Sequence, residues 1–161
     1  MTERRLRATQ DGFTLVEVMV VVLVLGVLIA VGLPMFLGAK ARAEERRAQA
    51  QLRTGLTAGL TYWTEGGTFT GFDLGCSGVH GACAVAAQEE SSVAWVGPGG
   101  PTDSQVSIVF AAGNNLLLVA RSTGGEYFCV VQETGHADRG RGAAFADVDT
   151  LLECAGGWAA P

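Results

Sequence analysis

The reading turns on Gly12-Phe-Thr-Leu-Val-Glu17 and on the run that follows it, Val18-Met-Val-Val-Val-Leu-Val-Leu-Gly-Val-Leu-Ile-Ala-Val-Gly-Leu-Pro-Met-Phe-Leu-Gly-Ala39. From Val18 to Ala39 no residue is charged, and most are Val, Leu, Ile or Met. At about 1.5 Å rise per residue, a helix of this length crosses a hydrocarbon core of about 30 Å. A short polar stretch with Arg4, Arg5 and Arg7 precedes the run, and Lys40-Ala-Arg-Ala-Glu-Glu-Arg-Arg47 follows it. The run is too long for an ordinary buried core helix. Two readings remain. It is a retained membrane helix, or it is a secretory signal cut at Ala39-Lys-Ala41 or Ala41-Arg-Ala43.

The rest of the chain has a different character. The whole protein has 161 residues, 11 Lys and Arg against 16 Asp and Glu, and 23 glycines. Beyond residue 53 there are three arginines and eleven acids, a balance of −8. A chain this acidic lacks the cations that neutralise phosphates, so no nucleic-acid partner is evident. The apolar content, 48%, excludes a disordered tail, and the glycines have no collagen period.

Cys76, Cys83, Cys129 and Cys154 lie in this acidic part. An even number of cysteines behind an export segment reads as two disulfides in an oxidising compartment. Three pairings are open. Cys76–Cys83 with Cys129–Cys154 is favoured, because each bond closes a glycine-containing segment. A four-cysteine zinc site is the rival, but its C-x₂₋₄-C pairs are absent. Free buried cysteines in a cytosolic domain are the other alternative. The cations flanking the apolar run would, counted alone, favour a cytoplasmic C-terminus. The cysteines place it outside, and we give them precedence.

Glu17 is an acid at the start of an apolar run. The cost of a carboxylate at mid-bilayer is about 3 kcal/mol, less near the ends. It is either tolerated at the headgroup edge or matched to a cation. No Lys or Arg stands one turn away, at 13, 14, 20 or 21. A cut between Gly12 and Phe13 would create one: the α-amine of Phe13, with an ordinary pKa of about 7.7–8.0.

Gly12-Phe13-Thr14-Leu15-Val16-Glu17, with an Arg-bearing leader before it and a Val/Leu helix after it, resembles the class III signal of type IV prepilins and type II secretion pseudopilins. The resemblance implies that a prepilin peptidase cuts after Gly12 and methylates the Phe13 amine. It implies that Glu17 meets the Phe13 amine of an adjacent subunit during assembly. Gly26 and Pro34 stand where such chains loosen their helix, and Pro34 removes a backbone donor. The implied partners are further copies in a homo-oligomeric filament, the peptidase, an assembly platform with related minor pilins, and the membrane before assembly. The implied location is the inner membrane, as a single-pass precursor with the C-terminal head outside, and then a pilus or pseudopilus.

Ala41, Ala48, Leu52, Leu56, Leu60 and Trp63 recur at helical spacing, so the helix is expected to run from Phe13 to about Trp63. Gly55 and Gly59 read as close packing on a sheet, or chance, rather than a dimer motif. Glu65-Gly-Gly67 breaks the helix. A Gly/Ala-rich loop with Cys76 and Cys83 follows. Strands are expected at 93–96, 105–110, 116–121 and 126–132, with turns at Gly97-Pro-Gly-Gly-Pro101, Gly113-Asn-Asn115 and Ser122-Thr-Gly-Gly125. Gly135 to Pro161 reads as irregular, tied back by Cys154. The expected fold is α+β: a long N-terminal helix on a small antiparallel sheet of about four strands, pilin-like. The expected divisions are a leader (1–12), a transmembrane and assembly half-helix (13–39), an amphipathic half-helix (40–63) and a disulfide-bonded head (64–161).

Catalytic signals are sparse. His80 and His136 lie in glycine-rich segments, and no zinc-protease, serine-hydrolase or P-loop motif occurs. Cys76 with His80 would make a nucleophile pair only if Cys76 were free. Asp147 and Asp149 are candidate calcium ligands, by likeness to some major pseudopilins, but no EF-hand spacing is present and a solvated acidic loop is the simpler reading. The function read from the sequence is a structural subunit without an enzyme activity or resident cofactor. The alternatives are a secreted disulfide-bonded binding domain released near Ala41 or Ala43, and an enzyme anchored by one helix.

Overall fold

The computed structural model describes residues 12–154 and 156–158. The leader reading rests on residues 1–12, of which only Gly12 lies among these. The chain divides into two compact units, at Ala39/Lys40.

Helix α1 covers Leu15–Gly66. Its first turn opens at Thr14, whose Oγ1 accepts the N–H of Glu17 at 3.2 Å. That bond satisfies one of the amides left unpaired at a helix start, and Glu17 adds a negative charge where the helix dipole is positive. The helix closes at Gly66-Gly67, where Gly67 takes a positive φ of 67° and its N–H reaches the Trp63 carbonyl.

In the second unit, the α1 residues Ala48, Leu52, Gly55, Ala58 and Gly59 are buried. They recur at three- and four-residue steps, which puts them on one stripe. The stripe packs on a five-stranded sheet: β1 (Ala94–Val96), β2 (Gln105–Ala112), β3 (Asn115–Arg121), β4 (Tyr127–Glu133) and β5 (His136–Gly142), in that order. A short helix, α2 (Ala84–Glu89), precedes β1.

β3 shows how the layers are made. Alternate side chains point to opposite faces of a strand. Leu116, Leu118 and Ala120 join Leu52, Ala58, Phe72, Trp95, Ile108 and Phe128 in one core. Leu117 and Val119 join Val131, Cys129, Val148 and Cys154 in a second core, under the C-terminal segment. β3 is therefore buried on both faces, and its sequence, Asn115-Leu-Leu-Leu-Val-Ala-Arg121, is apolar without alternation.

Three expectations need correction. The sheet has five strands rather than about four, and it is mixed: β1 pairs with β2 in parallel while the other pairs are antiparallel. The Gly97–Pro101 segment is thus a folded-back connection, not a hairpin turn. Buried Ser107 anchors it, donating to the Gly97 carbonyl at 2.8 Å and accepting the Gly99 N–H at 3.3 Å. The stretch after Gly135 is not irregular at its start, because β5 pairs with β4 from Glu133↔His136 to Tyr127↔Gly142. Finally, the Gly/Ala-rich region yields α2 at Ala84-Val-Ala-Ala-Gln-Glu89, where alanine's helix propensity prevails.

Candidate functional site

The first unit is a helical segment with no core of its own. Among the described residues, every large apolar side chain from Phe13 to Leu37 is exposed, Phe13 to 80%. The most apolar 18-residue window has a mean hydropathy of 2.9 and none of it is buried. The segment is long and apolar enough to cross a membrane.

Gly12 and Phe13 precede the helix and are both exposed. Glu17 lies in the first helical turn. Among the described residues it makes no ion pair, since the pairs present are Arg121–Asp103, Arg141–Glu126 and His136–Asp138. The T-x-x-E spacing of Thr14 and Glu17 is a capping signature that the sequence reading passed over. It gives Glu17 a local role in starting the helix beside any role in assembly.

Gly26 and Gly32 have open surroundings, for a Cβ built on either would meet nothing within 4 Å. Pro34 lies inside the helix. Leu25, Leu28, Ile29, Gly32, Leu33 and Phe36 line a shallow groove of about 350 Å³ along one side, with Gly32 as its low point. These positions step by three and four, as on a helix face that receives another helix.

In the second unit the structure joins Cys76 to Cys83 and Cys129 to Cys154, and no cysteine is free. This removes Cys76 as a nucleophile for His80 and the thiolates a zinc site would need. The Cys129–Cys154 bond ties β4 to the segment that covers the second core. Asp147 uses its carboxylate to accept the Ala144 N–H at 2.8 Å, and Glu153 accepts the Thr150 hydroxyl at 2.6 Å. Among the described residues, no group of three or more His, Cys, Asp or Glu side chains is placed to hold a metal ion. Asp147 and Asp149 are thus not brought together with further ligands.

A family model, the prokaryotic N-terminal methylation motif, matches residues 7–33. The type IV major pilin protein PilA of Myxococcus xanthus (strain DK1622) is 32% identical over 72 residues, which is 45% of this chain and 33% of that protein. The chain therefore spans about a third of the length of this curated relative. No solved structure matches. The methylation motif at residues 7–33 and the partial likeness to a type IV major pilin, beside a long helix followed by a sheet, support the resemblance to type IV pilins and pseudopilins.

Proposed function

We infer that the protein is a subunit of a type IV pilus or type II secretion pseudopilus. It is made as a precursor in the inner membrane with the head outside, cut between Gly12 and Phe13 by a prepilin peptidase, and methylated on the new amine. An assembly platform and related minor pilins then act with it in building a helical filament. The observation that carries this reading is the uncovered apolar surface from Phe13 to Leu37, interrupted only by Glu17 near its start.

Apolar surface of that extent has two stable surroundings, lipid tails and other copies of itself, and leaving either for water is unfavourable. Transfer from membrane to filament keeps the segment dry throughout. Glu17 gives the transfer a register. In a packed bundle of such helices an unpaired carboxylate is costly, so the favoured stagger sets each Glu17 against a Phe13 amine. Contacts that repeat head to tail without closing build an open helical polymer. The open surroundings of Gly26 and Gly32 and the missing donor at Pro34 support close approach and local loosening in that half of α1.

Mass spectrometry of the mature chain tests the processing step. The expected N-terminal peptide begins at Phe13 and is heavier than the unmodified peptide by one CH2, the methyl group having replaced an amine hydrogen. A chain beginning at Arg42 or Glu44 would instead identify a secreted domain released by an ordinary signal peptidase.

A further inference from the structure

The second unit holds a cavity away from the apolar segment on which the proposed function rests. It lies where the end of α1 meets the β2–β3 and β4–β5 turns, and it measures about 250 Å³. Trp63 and Leu60 form one wall, each 37% exposed, and buried Phe69 stands behind them. Asn114, Gln132, Glu133, Thr134 and Gly135 complete the lining, which is mainly apolar. The Trp63 indole is held in place, since its Nε1–H donates to Asn114 Oδ1 at 3.3 Å. The Gln132 amide nitrogen is likewise fixed, donating to the Glu133 carbonyl at 2.8 Å. Among the described residues, the amide nitrogen of Asn114, the amide oxygen of Gln132, the carboxylate of Glu133 and the hydroxyl of Thr134 have no partner within the chain.

We propose that this cavity binds one neutral sugar ring, the terminal residue of a glycan, with its C–H face on Trp63. Such a ring has one apolar face and a rim of hydroxyls that both donate and accept. The cavity offers the complementary chemistry: an aromatic ring in a mainly apolar lining, and among the lining residues one donor amide, two acceptors and a hydroxyl able to do both. Glu133 disfavours a phosphate, sulfate or carboxylate in the same place, because like charges at close range repel. A cationic ligand lacks the ring of aromatic faces that cation recognition uses, as Phe69 is only 2% exposed and leaves Trp63 alone. The volume is just below the range of typical small-molecule sites, about 300–1,000 Å³, which suits a single ring rather than an extended oligomer. Two short turns hold the polar side: Gly113-Asn114 joins β2 to β3, and Thr134-Gly135 joins β4 to β5. The site is preformed by the sheet and needs no assembly, so it stands or falls independently of the filament reading.

The test is NMR of the full chain in micelles of a detergent without a sugar headgroup, titrated with glucose, galactose, mannose and N-acetylglucosamine separately. One or more of these neutral probes should shift the indole N–H of Trp63 and the side-chain amides of Asn114 and Gln132. Glucuronate and glucose 6-phosphate should bind at least about fivefold more weakly, and Glu133→Gln should narrow that gap. Trp63→Ala should weaken binding about tenfold or more, while Trp63→Tyr retains most of it. The amide spectrum of the remaining head reports whether each variant is folded. Absence of shifts at Trp63, Asn114 and Gln132 with all four neutral sugars overturns the proposal. So does a folded Trp63→Ala protein that binds as well as the parent, or a preference for the anionic sugars.

Discussion

The two halves of α1 belong to one helix and use glycine in opposite ways. In the second half, a Cβ on Gly59 would stand 2.5 Å from Leu116 Cδ2, and one on Gly55 would stand 3.0 Å from the Trp95 ring. These glycines let the helix lie against the sheet. In the first half, a Cβ on Gly26 or Gly32 meets nothing. No contact among the described residues explains those two, and their space is open. The second half has its partner in the same chain. Among the described residues the first half has its large apolar side chains exposed. A glycine with a crowded neighbourhood therefore reports packing within the head, and one in open space beside large apolar side chains leaves room that the head does not use.

That contrast breaks most sharply at Glu17. Glu17→Ala should leave cleavage after Gly12 and the melting of the head unchanged, while incorporation into filaments falls to near zero. Immunoblotting of sheared filaments against whole-cell protein measures cleavage and incorporation, thermal unfolding of the purified variant measures the head, and normal filaments from this variant would remove the proposed role of Glu17. Leu52 is fully buried and Leu28 is 63% exposed. Leu52→Ala should cost the head about 2–5 kcal/mol, seen in chemical denaturation, and Leu28→Ala should cost it nothing measurable. The glycines themselves give the next effect. Gly59→Val should destabilise the head by about 1–3 kcal/mol through overpacking against Leu116, whereas Gly32→Val should leave the melting temperature unchanged and reduce filament yield.

The smallest effect lies at Glu90. The Ser92 side-chain and backbone hydrogen bonds hold its carboxyl below the ordinary value of 4.5. A carboxyl lowered in the folded state adds stability above its unfolded value, and that stability is lost as pH falls through the folded value. Ser92→Ala should therefore lower the melting temperature slightly at pH 7 and not at all well below pH 4.5. Equal losses at both pH values would mean that Ser92 acts by packing rather than through Glu90.

What the sequence disclosed follows from how each element is held. The apolar run was legible because burial in lipid or core demands apolar side chains. β2, β3 and β4 were legible for the same reason. Of the expected stripe only Ala48 and Leu52 are buried, Leu56 is half-buried, and Ala41, Leu60 and Trp63 are exposed, because the face on the sheet is completed by the small residues Gly55, Ala58 and Gly59. β5, His136-Ala-Asp-Arg-Gly-Arg-Gly142, was not, because four of its seven residues are exposed and backbone pairing with β4 holds it. The parallel setting of β1 was hidden because a parallel partner is chosen by the connection. Here that connection is pinned by a buried Ser107 whose role no periodicity reveals. At the helix start, the Gly12-Phe13 junction and Glu17 were readable as a motif, and the Thr14 cap was readable but passed over. The cavity beside Trp63 was invisible, since it gathers residues from three separate stretches of chain.

The layout of the sheet also sets a timetable. During synthesis α1 leaves the ribosome first, yet Leu116, Leu118 and Phe128, which cover Leu52, are made more than sixty residues later. The strands from β2 to β5 are joined in sequence by short connections, so they can pair as soon as they emerge. The core around Leu52 can therefore be completed only after the later strands have been made. Until then the apolar side chains of that stripe, Ala48, Leu52 and Ala58, lack the cover the folded head gives them.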